Sequence, residues 1–259
     1  MLRAFTRAVS PRLAECELTH LQRTPIDVAK AVEQHATYEH SLSKAGFKVV
    51  RLPELPDKPD AVFVEDTALL LDADAIILRP GAASRAEETT ATAQGLASHF
   101  TLHFAARGHI DGGDILRIGK QLYVGLSTRT DADGIEELTG LGNRLGFDVA
   151  AIKLRNCLHL KTGATFVGRD GSGTPVLLYD ESSVDPQQFV GVEPVAVASR
   201  ERAAANCVRA GHCLILPAGN PQTAAALDAR GFEVIEVDVS ELQKAEAGVT
   251  CMSLIDERP

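Results

Sequence analysis

The sequence predicts an α/β protein in which five ββαβ units form a closed ring with pseudo-fivefold symmetry. Two observations support this prediction. The order strand, strand, helix, strand recurs four times along the chain, and the two ends of the chain supply the elements of a fifth unit. Joining the termini in this way closes a propeller-like ring and removes most exposed sheet edges. The chain, residues 1–259, is then a single domain, whereas the alternative is an ordinary mixed α/β sheet.

Each repeated unit is predicted to begin with a β-hairpin, because two short apolar runs flank a turn signal. The four pairs of runs are 67–71 with 75–78, 115–118 with 122–124, 165–167 with 176–178, and 207–208 with 213–216, the last pair joined by residues 210–212. A helix-start signal follows each hairpin, namely Ser84, Ser127, Ser182-Ser183 and Asn220-Pro221. These signals predict one helix after every hairpin.

A glycine-phenylalanine pair marks the predicted end of three helices. The pairs are Gly46-Phe47, Gly146-Phe147 and Gly231-Phe232, and in each case one charged residue separates the phenylalanine from a valine. The glycine is typical of a helix C-cap, and the residues after it are typical of a strand. The clearest helix covers roughly Asp27 to Ala45. The fifth unit would combine a strand at 251–255 with an N-terminal strand near 2–5, this helix and a strand at 48–52.

Five polar side chains occupy equivalent places, each just before the first strand of a unit. They are Asp66, Asp114, His159, Asn206 and Cys251, and successive members are 45 to 48 residues apart. Because a repeat places equivalent positions at equivalent radii, we expect these side chains to converge near the ring axis. Singly, each also fits a structural role: Cys251 and His159 lie among apolar neighbours, and residues 111–114 resemble a tight turn.

The converging set is chemically coherent. A cysteine thiolate is a strong nucleophile, a histidine can act as general acid and then general base, and a carboxylate can orient that histidine. The second carboxylate would face a cationic group on the substrate. Cys251 is the predicted nucleophile because the other cysteines, Cys16, Cys157, Cys207 and Cys213, do not hold an equivalent position.

Composition excludes several classes of protein. The chain has 26 Lys and Arg against 35 Asp and Glu, a net charge of −9, which disfavours nucleic acid and anionic membranes as partners. No apolar run approaches the roughly 18 residues of a membrane span, and no signal peptide is evident. Five cysteines without a CxxC pair indicate neither a disulfide framework nor zinc spacing. We expect a cytoplasmic monomer or homodimer that needs no metal or cofactor.

Six segments together resemble a known family. They are 59–66 (PDAVFVED), 79–85 (RPGAASR), 111–114 (DGGD), 125–130 (GLSTRT), 158–161 (LHLK) and 250–251 (TC), and the match covers nearly the whole chain. The chain is similar to the dimethylarginine dimethylaminohydrolases, guanidine-modifying enzymes of the pentein fold. That fold is a five-bladed propeller of ββαβ units, so the resemblance agrees with the repeat.

The resemblance implies a mechanism. Cys251 would attack the guanidinium carbon of a methylated arginine and expel an amine, leaving an S-alkylthiouronium that water hydrolyses to citrulline. His159 would protonate the amine and later activate the water, with Asp114 orienting it. Asp66, together with Glu65, would hold the guanidinium, since carboxylates pair with its planar donors.

By the same resemblance, a second group of residues would bind the amino-acid end of a guanidino amino acid. It consists of the side chains of Asp60, Arg85 and Arg129 and the carbonyls of Leu18 and Ala245, with a lid at residues 15–24. The alternatives are an arginine deiminase or amidinotransferase and, from another class, a non-catalytic pentein that binds a partner. The complete Cys, His and acid set argues against the latter. A nucleotide-binding protein is disfavoured because no GxGxxG or P-loop follows a strand.

Lys161 marks a departure from related deiminases, which are similar here but have Asp two residues after the histidine. In an extended segment residues 159 and 161 share a face, so a lysine in place of that aspartate would affect the site. A lysine repels a guanidinium, and we expect it to turn aside toward an acid. The site would then lack a second carboxylate, which predicts a preference for methylated arginines.

Overall fold

Fifteen short strands form five separate three-stranded sheets in the computed structural model, which describes residues 2–210, 213–256 and 258. In each sheet the middle strand pairs antiparallel with one neighbour and parallel with the other. The strands are β1 (Arg3–Thr6), β2 (Lys48–Arg51), β3 (Ala68–Leu71), β4 (Asp74–Ile77), β5 (Thr101–Phe104), β6 (Ile115–Ile118), β7 (Gln121–Leu126), β8 (Asp148–Lys153), β9 (Ala164–Arg169), β10 (Pro175–Tyr179), β11 (Glu193–Ala196), β12 (Val208–Ala210), β13 (Cys213–Pro217), β14 (Glu233–Val237) and β15 (Leu254–Asp256).

The helices are short apart from those that connect the second and third strands of a unit. They are α1 (Val28–Lys44), α2 (Glu88–Leu96), α3 (Ala132–Arg144), α4 (Leu160–Gly163), α5 (Pro221–Asp228) and α6 (Ser240–Gln243). We number the units by sheet: unit 1 contains β3–β5, unit 2 β6–β8, unit 3 β9–β11, unit 4 β12–β14, and unit 5 β15, β1 and β2. Within the described part of the chain, none of these helices combines the length and apolar character that crossing a bilayer requires.

The ring is closed by the two ends of the chain. In unit 5, β1 pairs antiparallel with β15, with Phe5 opposite Leu254, and parallel with β2. Five apolar clusters fill the contacts between neighbouring units; one joins Phe5 to Ile77 and links unit 5 to unit 1. The other four link units 1 and 2, 2 and 3, 3 and 4, and 4 and 5. The predicted pentein fold, with its five three-stranded sheets, is confirmed.

Glycine ends three of the long helices, as predicted. Gly46, Gly146 and Gly231 have φ of 93°, 80° and 86°, a region that favours glycine. In each case the N–H of the following phenylalanine donates to a carbonyl five residues back, which is the Schellman arrangement. At the other end of α1, the Asp27 carboxylate accepts the Lys30 N–H at 3.1 Å.

Three of the predicted helix starts differ from the structure. The helix predicted after Ser84 begins only at Glu88, after a 3-10 turn at Ala83–Arg85. Unit 3 has no α-helix between its second and third strands, where a single 3-10 turn, Pro186–Gln188, takes the place of the helix predicted after Ser182-Ser183. Asp180 accepts hydrogen bonds from both serines, so they close a local turn instead. The helix predicted after Ser127 begins only at Ala132, because Asp131 caps it. In the turn predicted at 210–212, Gly211 and His212 lie outside the described residues.

A buried histidine in α1 makes stability depend on pH. The Nδ1 of His35 lies 3.9 Å from Glu39, and its Nε2 has no hydrogen-bond partner among the described residues. Burial lowers the pKa of His35 from 6.5 to about 4, although the Glu39 charge opposes that shift. As pH falls from 7 to 5, the unfolded chain protonates His35 and the folded chain does not, so the folded state loses stability.

We therefore expect His35→Gln to reduce the loss of unfolding free energy between pH 7 and pH 5 by about 2 kcal/mol. Urea unfolding at the two pH values measures this. The matched control is His40→Gln, which changes an exposed histidine of the same helix and should behave like the unmodified protein. An equal pH dependence in all three proteins would show that His35 does not titrate in this way.

Candidate active site

A short helical turn precedes the first strand of every unit and brings the predicted residues together. The turns are Val64–Thr67, Gly112–Asp114, α4, Arg202–Ala205 and Thr250–Met252. Turns of neighbouring units contact one another around the ring. Asp66, His159 and Cys251 line one cleft, with Asp111 from the second turn. The expected convergence therefore occurs, although Asp114 and Asn206 are buried outside the lining of this cleft.

Asn206 fixes the turn that holds Cys251. Its side-chain amide donates to Thr250 Oγ1 at 2.9 Å, and its carbonyl oxygen accepts the Thr250 N–H at 3.0 Å. The Gly248 N–H points at Cys251 Sγ, 3.4 Å away. Burial, with the negative charges of Glu65 and Asp66, raises the pKa of Cys251 to about 12. In the substrate-free protein at neutral pH the sulfur is therefore a thiol.

His159 is held by Asp111. Its Nε2 lies 3.0 Å from Asp111 Oδ2, and Asp111 is fixed in turn because its Oδ1 accepts the Gly81 N–H at 2.8 Å. Burial lowers the pKa of His159, but the negative charges of Asp66, Asp114 and Asp111 outweigh burial and raise it to about 9. The ring is therefore a cation at neutral pH and can donate a proton.

The orienting carboxylate differs from the one expected. Asp114 accepts the Leu160 N–H at 2.9 Å and the Ser127 hydroxyl at 2.6 Å, so it binds the backbone beside His159 rather than the ring. Burial raises the pKa of Asp114 to about 6. The repeat spacing selects Asp114 as the equivalent position, but it contains no information on which acid of the 111–114 segment reaches the imidazole. In this structure that acid is Asp111, and the role of Asp114 as the acid that orients His159 stays a prediction.

Asp66 is one of several carboxylates that line the cleft. It accepts hydrogen bonds from Arg85 Nη1 at 2.5 Å and from the Gly113 N–H at 3.0 Å. Burial raises its pKa, but the positive charges of His159 and Arg85 outweigh burial and lower it below the ordinary value. Gly113 allows Asp66 and His159 to lie close to its backbone, because a Cβ there would lie 2.6 Å from His159 Nδ1 and 2.9 Å from Asp66 Oδ1.

Glu65 makes a separate pair behind the cleft. Lys161 Nζ lies 2.6 Å from Glu65 Oε1, and the Thr250 hydroxyl donates to Glu65 Oε2 at 2.7 Å. Burial raises the pKa of Glu65. The expectation that Lys161 turns toward an acid is confirmed. The predicted contact of Glu65 with a guanidinium stays a prediction, and in the substrate-free protein both of its oxygens have partners.

The residues predicted to bind an amino-acid end surround the same cleft. Asp60, Arg85, Arg129 and Ala245 line it, and Leu18 is half-buried next to the cleft residue Glu17. The buried Arg85 donates to Asp66, to Glu88 and to the Phe63 carbonyl, whereas the half-buried Arg129 donates to Thr19 Oγ1 at 2.9 Å. Of these two arginines, Arg129 has donors without a partner among the described residues and can bind a carboxylate, whereas Arg85 chiefly fixes Asp66.

Three of these acid and imidazole groups could also hold a cation. Ligand atoms of Asp66, Asp111 and His159 lie within 4.8 Å of one another. A metal would compete with a proton, because ligating histidine must be neutral and the pKa of His159 is about 9. Independence from metal stays a prediction.

Comparisons with known proteins agree with this geometry. The arginine deiminase family model matches residues 54–174. The dimethylarginine dimethylaminohydrolase of Pseudomonas aeruginosa is 36% identical over 231 residues, which cover 88% of this chain and 89% of the relative. The chain belongs to the dimethylarginine dimethylaminohydrolase family. A second member, from Streptomyces coelicolor, is 35% identical over 254 residues, or 97% of this chain and 96% of the relative.

Solved structures of the dimethylarginine dimethylaminohydrolase family superpose closely on the chain. A cysteine-to-serine variant of the Pseudomonas aeruginosa protein complexed with citrulline has a TM-score of 0.92 at 33% identity and covers 99% of this chain and 100% of its own. A histidine-to-glycine variant carrying an S-methyl-L-thiocitrulline adduct has a TM-score of 0.90 at 32% identity, again with 99% and 100% covered.

Proposed function

We propose that the protein hydrolyses Nω-methylated arginine to citrulline and a methylamine through a covalent intermediate on Cys251. The observation that supports this most directly is that a buried thiol, a protonated imidazole and an ionised carboxylate line one cleft. A guanidinium is cationic, so it is attracted to Asp66, and its planar donors suit that carboxylate. The family names and bound ligands of the relatives agree with this chemistry.

Substrate binding activates the nucleophile. The Cys251 thiol is neutral in the empty cleft because burial and two nearby carboxylates disfavour a further negative charge. A bound guanidinium places a positive charge beside the sulfur and lowers the pKa of the thiol. The thiol then loses its proton to solvent when its target is present, and the thiolate adds to the guanidinium carbon to form a tetrahedral adduct. His159 protonates the methylated nitrogen of this adduct, the C–N bond to that nitrogen breaks, and the amine departs, leaving the thiouronium on Cys251.

In the hydrolysis step His159 acts as a base, whereas in the first step it acts as an acid. After donating its proton, His159 is neutral and can accept a proton from water as the water adds to the thiouronium carbon. The imidazolium is restored by this proton. The C–S bond of the adduct then breaks, the remaining hydroxyl proton passes to the departing thiolate, and citrulline is released with the Cys251 thiol regenerated. Asp111 holds Nε2 throughout, and the negative charges around His159 stabilise its cationic form. His159 is therefore suited to both steps.

The amino-acid end of the substrate would lie toward Arg129, Asp60 and the lid. Arg129 is available to pair with an α-carboxylate, and Asp60 can accept from an α-ammonium group. Burial raises the pKa of Asp60 to about 6, and a cation at this place would favour its ionised form. Location in the cytoplasm and assembly as a monomer or homodimer stay predictions.

We expect kcat/KM to be at least about a hundredfold higher for asymmetric dimethylarginine than for arginine. Because Lys161 pairs with Glu65, an unmethylated guanidinium nitrogen facing that pair loses a charge-assisted hydrogen bond of about 1.5–3 kcal/mol. A dimethylated nitrogen has no N–H to satisfy, and each methyl gains about 0.8 kcal/mol from burial. Citrulline assays with asymmetric dimethylarginine, monomethylarginine and arginine measure the preference.

Two Lys161 variants provide a matched control for this prediction. Lys161→Gln removes the charge paired with Glu65, so Glu65 can accept a hydrogen bond from arginine. The ratio of kcat/KM for asymmetric dimethylarginine to kcat/KM for arginine should then decrease. Lys161→Arg keeps the pair and should retain the preference. If unmodified protein hydrolysed arginine as well as the dimethylated substrate, an arginine deiminase would be the better assignment.

A further inference from the structure

The segment of residues 17–21, hereafter the lid segment, borders the cleft with little packing of its own. Glu17 lines the cleft, and Thr19 accepts a hydrogen bond from the cleft residue Arg129. Residues 19–21 are exposed, so apolar burial contributes little to their position. Polar contacts must therefore determine where residues 19–21 lie.

The Glu246 carboxylate supplies most of those contacts. It accepts three consecutive backbone N–H groups, from Thr19 at 2.9 Å and from His20 and Leu21 at 2.5 Å each. Hydrogen bonds to an ionised acceptor are stronger than those between neutral groups. Glu246 itself lines the cleft beside Ala245, so this contact joins the lid segment to the wall of the cleft.

The backbone of Glu246 adds an independent indication of a specific role. Its φ of 60° lies in the left-handed region, which favours glycine and is uncommon for a side chain such as glutamate. A glycine would remove that strain but could not bind the lid segment. The unfavourable backbone is compensated by the contacts of the carboxylate.

A second carboxylate holds the other side of Leu18. Both oxygens of Asp60 accept the Glu17 N–H, at 3.2 Å each. Leu18 therefore lies between one amide bound to Asp60 and three amides bound to Glu246. Its backbone is held from both sides, while its side chain packs half-buried on the neighbouring apolar cluster.

We propose that Glu246 is a positioning residue that holds the lid segment in place to bind the amino-acid end of the substrate. Fixing residues 19–21 keeps Leu18 and Thr19 beside Arg129 and Asp60, the groups assigned to the α-carboxylate and α-ammonium. Glu246 itself takes no part in bond breaking. This inference rests on the proposed function for its effect on substrate, but the ordering of the lid segment is a property of the free protein.

The test compares Glu246→Gly, Glu246→Gln and the control Glu236→Gln, which changes an exposed glutamate that binds a backbone N–H in unit 4. Hydrogen exchange in the substrate-free protein should be about tenfold faster at residues 19–21 in Glu246→Gly, with a smaller change in Glu246→Gln, which keeps one acceptor oxygen. The KM for asymmetric dimethylarginine should rise about tenfold in Glu246→Gly, less in Glu246→Gln, with kcat within about twofold. The control should match the unmodified protein.

Each outcome decides a different part of the inference. Unchanged exchange in Glu246→Gly would overturn the role of Glu246 in holding the lid segment, whatever the activity. Faster exchange with an unchanged KM would overturn the role of Glu246 in substrate binding, and Glu246 would then only hold the lid segment in place. If the unmodified protein did not act on methylarginines, the proposed function would fail, and the exchange experiment would still decide whether Glu246 holds the lid.

Discussion

Cys251→Ser should lower citrulline formation from asymmetric dimethylarginine by at least about a thousandfold without unfolding the protein. A serine hydroxyl is far less acidic than a thiol, and the positive charge of a bound guanidinium cannot ionise it to the same extent. The side chain is almost the same size and lies in a turn that Asn206 holds through Thr250, so the fold should persist. Steady-state kinetics measure the loss, and thermal unfolding checks the fold.

Cys157→Ser is the matched control for this variant. Cys157 lies two residues before His159, and burial raises its pKa to about 11, but it does not line the cleft. Its replacement should leave kcat within a few fold. Loss of activity in Cys157→Ser together with normal activity in Cys251→Ser would contradict the choice of nucleophile.

His159→Ala should reduce kcat by about 10²–10⁴-fold, because one group provides both the acid of the first step and the base of the second. Without it the amine leaves slowly, and any thiouronium that does form is hydrolysed slowly. Acid-quenched samples should therefore contain either no adduct or a long-lived one on Cys251. Normal steady-state turnover would remove His159 from the mechanism.

Variants of the two neighbouring aspartates show how the imidazole is held. Asp111→Asn removes the charge that is hydrogen-bonded to Nε2, whereas Asp114→Asn changes a group bound to the Leu160 N–H and the Ser127 hydroxyl. The first should lower kcat more than the second, because only Asp111 is hydrogen-bonded to the ring. Both variants should shift the alkaline limb of the pH profile downward, since the pKa of His159 falls when either negative charge is removed. A larger effect of Asp114→Asn would restore Asp114 as the orienting acid.

The architecture follows from the sequence because a repeat is visible in both its turn signals and its spacing. The positive-φ glycines at 46, 146 and 231 are local signals, and a local signal predicts a local structure. The helix predicted after Ser182-Ser183 was wrong because a serine side chain can stabilise a local turn as well as cap a helix. In unit 3 both serines bind Asp180, and no helix follows.

The sequence predicts which residues form the site, but it does not predict which of them contact one another. Spacing places Asp66, His159 and Cys251 at equivalent positions, and family resemblance adds Asp60, Arg85 and Arg129. Which partner each side chain selects depends on distances of a few ångströms between different units, as the contacts of Asp111 and Glu246 show. Glu246 was missed, and the signal that could have indicated it is its place between Ala245 and Ala247 beside the nucleophile.

Mass spectrometry of an acid-quenched reaction with asymmetric dimethylarginine tests the covalent mechanism most directly. We predict an adduct equal to the substrate less dimethylamine, located on the peptide that contains Cys251. This adduct should form before steady-state citrulline accumulates and be absent from Cys251→Ser. Rapid citrulline formation by the unmodified protein with no adduct on Cys251, or with the adduct on Cys157, would contradict this mechanism.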